Sequence, residues 1–133
     1  MLKELSEKYY SQFDLNCAEA IIYAANECYD LNLEKETLKT MGGFGGGMAI
    51  ESVCGAITGG IAVLGILFIR DRAHEGERMK QLTAELIHTV EERLGTHNCK
   101  ELKDKYRNDE VKCKKVVVGV AEILEEIIRR EMN

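Results

Sequence analysis

The sequence predicts an all-α fold: a single-domain helical bundle over residues 1–133, built around a glycine-rich, largely buried central helix. Three observations carry this prediction. There is no proline anywhere in the chain, so the commonest helix breaker is absent and glycine must punctuate the elements. Hydrophobic residues make up 45% and charged residues 31%, the balance of a soluble, helix-rich chain rather than a disordered or all-β one. From Ser52 to Ile69, eighteen residues carry no charge, which is what the all-round apolar helix at the centre of a bundle requires. At 133 residues the chain is long enough to bury a core without disulfide staples.

The elements follow in order. Residues 2–13 give a short helix, and 17–29 a longer one with Cys17, Ile21, Ala24 and Cys28 on one face. A further short helix lies within 30–39. Residues 42–60, GGFGGGMAIESVCGAITGG, then place eight glycines around one cysteine. Glycines 42–47 read as a permissive turn. Gly55, Gly59 and Gly60 read as the small face of the central helix, where neighbouring backbones come close. Small residues four apart are also seen in membrane helices, but the first third of this segment is weakly apolar and its flanking helices need something to cover, so a buried helix is expected. A long helix runs from about Ala73 to Leu94, with Met79, Leu82, Leu86 and Val90 inward and Gly95 as its cap. Residues 96–110 are polar and hold at most two helical turns. The last helix, within 111–130, carries Cys113, Val117, Val120, Leu124 and Ile127 in one stripe.

Net charge is -5, with 18 basic residues scattered among 23 acids, which argues against nucleic acid as a partner. The opening MLKELSEKYY shows no charged-then-apolar leader, so a cytoplasmic location is expected, where stable disulfides are unusual. The glycine run lacks a Gly-Lys-Ser/Thr ending and follows no predicted strand, so it is not read as a phosphate loop. Five cysteines, an odd number, therefore bring redox chemistry or metal binding into view.

Four of the five fall near predicted helix N-termini. Asn16 and Asn98 precede Cys17 and Cys99, with Glu19 and Glu101 in the capping-box relation. Ser52 is expected to cap the central helix, with Cys54 at its second position, and Asp109 to cap the last, with Cys113 near its first turn. Free N–H groups at these ends favour a thiolate over a thiol, so lowered pKa values are expected. Cys28 lies at a helix C-terminus, about 16 Å along the axis from Cys17, and reads as a packing residue. Helices alternating in direction would bring Cys17, Cys54, Cys99 and Cys113 to one end of the bundle.

These residues resemble a family. Cys54-Gly55-Ala56-x-x-Gly59 with its glycine-rich lead-in, Cys17 upstream, and Cys99 and Cys113 downstream are similar to the small bacterial and archaeal redox-active C-GCAxxG-C-C proteins. The resemblance spans nearly the whole chain and leaves Cys28 outside it. One departure is in order: the label writes Gly-Cys-Ala, whereas this chain has Val53-Cys54-Gly55-Ala56. The resemblance implies a redox-active role for the four cysteines, often with transporter genes nearby, and supplies no substrate or redox partner.

Three functions compete. In the first, Cys54 attacks a partner disulfide or oxidant, Cys99 or Cys113 resolves it, and the four cysteines serve thiol–disulfide chemistry or electron transfer. In the second, Cys17, Cys54, Cys99 and Cys113 are metal ligands for an iron–sulfur cluster or zinc, although their spacing matches no common ligand motif. In the third, the protein is a helical binding or assembly module whose cysteines only pack; a homodimer would suit its glycine-lined helix. His97 is a candidate base or ligand but reads as solvent-exposed, as do His74 and His88. Tyr9, Tyr10, Phe13 and Tyr23 read as core or rim aromatics, with a small-molecule pocket at the cysteine end as the alternative.

Overall fold

The computed structural model describes residues 1–133 and contains seven α-helices and no β-strand, as the proline-free amphipathic sequence predicts. The helices are α1 (Leu2–Gln12), α2 (Cys17–Cys28), α3 (Lys35–Leu38), α4 (Gly55–Phe68), α5 (Arg78–Leu94), α6 (Cys99–Tyr106) and α7 (Lys114–Glu131). α4 touches α2, α5 and α7, while α1 packs across α2 and α7. Ile21 of α2, Ile57 and Leu64 of α4, Leu86 of α5 and Leu124 of α7 are fully buried in one shared core.

Glycine allows α2 and α4 to approach closely. A Cβ on Gly59 would stand 2.7 Å from the carbonyl oxygen of Ala18, and one on Gly60 would stand 3.1 Å from Leu86 Cδ2. The small face expected of the central helix is therefore real, and its neighbours include the start of α2. No helix is long and apolar enough to cross a membrane.

Several boundaries differ from the sequence expectations, each for a local reason. The long helix starts at Arg78 rather than Ala73, because residues 73–75 form a single 3-10 turn and Gly76 is fully extended. Met79 is half-buried, unlike the buried Leu82, Leu86 and Val90. Ser52 does not cap α4. Its carbonyl instead accepts the Cys99 N–H, with Val53 bridged antiparallel to Asn98, and Cys54 takes the N-cap position. Asp109 does not cap α7; the side chain of Asn108 accepts the N–H groups of Glu110 and Val111 in a tight turn, and Cys113 is the N-cap.

The glycine run does turn the chain, but the turn outlasts the glycines. Gly46, Gly47, Met48, Ala49 and Glu51 all have φ between +56° and +68°. This left-handed region costs non-glycine residues about 1–2 kcal/mol each. Gly47 admits no side chain there, since a Cβ would lie 2.4 Å from the Ser52 nitrogen and 2.7 Å from Cys99 Cβ. The left-handed stretch thus sets residues 52–54 directly against the start of α6.

Candidate functional site

Cys17 opens α2 because Asn16 caps it. The Asn16 side chain accepts the Glu19 N–H at 2.8 Å, and the Glu19 carboxylate accepts the Asn16 N–H at 2.9 Å. Cys99 opens α6, whose cap Asn98 accepts the N–H groups of Lys100 and Glu101. The expected return bond from Glu101 is not made, because its carboxylate takes the Thr96 hydroxyl instead. Cys54 and Cys99 are tied through the main chain. The Cys54 N–H donates to the His97 carbonyl at 3.0 Å, and the Cys99 N–H donates to the Ser52 carbonyl at 2.6 Å. In an antiparallel bridge this places both cysteines on one face of the pair, diagonally opposed.

Cys113 is delivered from the other side. Its N–H donates to the Tyr10 hydroxyl of α1 at 3.1 Å. Arg107, just past the end of α6, donates from Nη1 to Cys113 Sγ at 3.4 Å. Antiparallel pairing of Asn108 with Lys112 folds the intervening chain back, so two residues six apart in sequence meet.

The four cysteines predicted to share one end of the bundle line one cavity of about 350 Å³. Tyr10 and Phe13 flank them, and Lys103, Arg107 and Lys112 add positive charge against a single acid, Asp14. All the cysteines are free thiols, and Cys54, Cys99 and Cys113 are only 4%, 7% and 6% exposed. Cys28 lies outside the cavity, half-buried and packed against the core, as its C-terminal position suggested.

Electrostatics separates the four thiols. Cys113 is pulled well below the ordinary thiol range, first by the Cys17 thiol placed to hydrogen-bond to it, and then, against the opposing effect of burial, by Arg107. Cys17 is pushed strongly up by that same hydrogen bond and by burial. Burial raises Cys54 to about 11, even though the N–H groups of Ile57 and Ala56 favour its thiolate. Burial likewise raises Cys99, against the pull of Lys103. The expectation that helix N-termini would lower all four pKa values therefore holds for Cys113 alone, while Cys17, Cys54 and Cys99 are raised. Desolvation of a buried sulfur outweighs the favourable N–H groups at Cys54, and at Cys99 it outweighs the pull of Lys103. Cys113 alone has a guanidinium in hydrogen-bond contact.

No group of three or more Cys, His, Asp or Glu side chains lies close enough together to hold a single metal ion. His97 does not line the cavity: its Nδ1 pairs with Glu91, while its carbonyl holds the Cys54 N–H. His74 and His88 are exposed, as predicted. Among the aromatics, Tyr10 and Phe13 line the cavity, whereas Tyr9 and Tyr23 pack against each other with ring centroids 5.8 Å apart. Sequence reasoning missed Arg107, Lys103 and Lys112. The available signal was Asn108, a turn residue between Arg107 and the final cysteine.

A family model described as "Putative redox-active protein (C_GCAxxG_C_C)" matches residues 15–127. No curated protein and no solved structure matches the chain.

Proposed function

We propose that this chain, which belongs to the C_GCAxxG_C_C family of redox-active proteins, performs thiol–disulfide exchange with Cys113 as nucleophile and Cys17 as its resolving partner. The observation that carries the reading is the setting of Cys113: Arg107 Nη1 lies 3.4 Å from its sulfur, in a cavity that Cys17 also lines. A thiolate poised near neutral pH combines a useful ionised fraction with nucleophilicity.

The steps balance. The Cys113 thiolate attacks one sulfur of a substrate disulfide; that S–S bond breaks, and its electron pair leaves on the other sulfur as RS⁻. The Cys17 proton passes to this leaving thiolate. Cys17, now ionised, attacks Cys113 Sγ in the mixed disulfide and displaces the second RS⁻, which takes a proton from solvent. The substrate is reduced by two electrons and the protein is oxidised to a Cys17–Cys113 disulfide; two small thiols run the same steps in reverse. Tyr10 holds the Cys113 backbone through the bond to its N–H, and Cys54 and Cys99 complete the buried wall.

The test is to incubate reduced protein anaerobically with a small disulfide, block the remaining thiols and map the linkage by mass. A Cys17–Cys113 bond is expected, absent in Cys113→Ser and present in Cys28→Ser. Oxidation that bypasses Cys113, or a complete lack of exchange, would overturn the assignment.

A further inference from the structure

We propose, building on the exchange reading above, that the disulfide entering this cavity is a small, carboxylate-bearing molecule rather than a disulfide of another protein. Size and depth make the first half of the case. The sulfurs sit at the wall of a cavity of about 350 Å³, near the lower end of small-ligand pockets, and Cys54, Cys99 and Cys113 are at most 7% exposed. Sulfurs so little exposed are poorly accessible to a disulfide held in a folded partner. A free small molecule reaches them directly.

Charge makes the second half. The chain as a whole is acidic, with 23 carboxylate residues against 18 cationic ones, yet the cavity reverses that balance: Lys103, Arg107 and Lys112 face a single Asp14. Of the three, only Lys103 has a carboxylate partner, Glu51 at 3.4 Å. Arg107 contacts the Cys113 sulfur and forms no ion pair, and Lys112 has neither an ion pair nor a side-chain hydrogen bond. Lys112 is nevertheless fixed in place. Its backbone exchanges hydrogen bonds with Asn108 at 2.9 and 3.4 Å, and it holds φ at +54° immediately before Cys113. Two cations without carboxylate partners beside the attacking sulfur suit a substrate that brings its own carboxylates, which a guanidinium recognises with paired N–H donors. Tyr10 and Phe13 give the apolar wall against which the substrate's methylene carbons can lie.

Three probe disulfides of similar size separate the possibilities: dithiodipropionate, which carries two carboxylates; its neutral diamide; and cystamine, which carries two ammonium groups. Reduced protein is mixed anaerobically with each, and with a protein disulfide, and formation of the Cys17–Cys113 bond is timed at low and at high salt. The dianionic probe is expected to react about tenfold faster than the diamide at low salt, with cystamine slower still and the advantage shrinking as salt screens the cations. Lys112→Gln should cut the dianionic advantage severalfold, while Lys115→Gln, an exposed cation outside the cavity, should leave it in place. Equal rates for the three probes, or a protein disulfide reacting fastest, would refute the anionic-substrate inference and leave the exchange reading standing. Failure of every disulfide would refute the exchange reading, and this inference with it.

Discussion

Replacing Gly59 with alanine tests whether the close approach of α2 and α4 holds the cavity together. The added Cβ would stand 2.7 Å from the Ala18 carbonyl oxygen and 3.0 Å from Ala18 Cα, where ordinary contact begins at 3.4 Å. Both obstacles are backbone, so no side chain can swing aside, and α2 must retreat by about 0.7 Å, the difference between 3.4 and 2.7 Å. Overpacking of this kind costs about 1–3 kcal/mol. Alanine in a helix interior returns about 1 kcal/mol through propensity, which blurs a single measurement. Gly119 in α7 supplies the control. A Cβ there meets only the flexible side chain of Leu94, with Cδ2 at 3.4 Å and Cδ1 at 3.5 Å, both ordinary contacts, so Gly119→Ala should show the propensity gain alone. The difference between the two variants isolates the contact, at about 1–3 kcal/mol in favour of Gly119→Ala. Urea unfolding at unchanged m reads it directly. Because Cys17 is the first residue of α2 and neighbours Ala18, the retreat should also loosen the Cys17–Cys113 pair. Equal denaturation midpoints for the two variants would refute the argument that these glycines serve proximity.

Two further perturbations address the thiols. Arg107→Gln should raise the Cys113 pKa by about one unit, since a charged hydrogen bond from a solvent-exposed guanidinium sits at the weak end of its range and one unit is about 1.4 kcal/mol; ultraviolet thiolate absorbance against pH checks this, and an unmoved titration would remove Arg107 from its role. The same groups set the pH dependence of stability. The depressed Cys113 contributes fully above the unfolded thiol pKa, and its contribution is lost as pH falls through the folded value. Cys54, raised to about 11, contributes below the unfolded value and loses that contribution as pH climbs to about 11, so alkaline destabilisation should be smaller in Cys54→Ala. Asn16→Ala should cost about 1 kcal/mol by uncapping α2, with Asn16→Asp recovering most of it in thermal unfolding; a fully stable alanine variant would show that the cap is dispensable.

The parts of this molecule legible in the sequence are those set by near neighbours. Asn16 with Glu19 three residues on announces an N-cap, and the stripe from Val117 to Ile127 announces a buried helix face; neither depends on the rest of the fold. The gathering of four cysteines at one end followed from alternating helix directions alone. Which cysteine is the acidic one did not, because burial is a tertiary property: Cys54 and Cys113 look equivalent as helix starts until Arg107 is seen beside only one of them. The true start of α4 was hidden for a similar reason. Ser52 is a good cap by composition, but pairing of residues 52–54 with 97–99 takes its backbone first. Nor do Met48, Ala49 and Glu51 favour positive φ, so nothing in their identity signals a left-handed turn.

The bridge between residues 52–54 and 97–99 makes Cys54 and Cys99 a single mechanical unit. Their amides are held by two hydrogen bonds across the same short pairing, together worth about 2 kcal/mol, so the backbone of one cannot shift without disturbing the seat of the other. In a protein made of helices, the one isolated bridge between distant segments is thus a clasp, and what it fixes together is two of the four cavity cysteines.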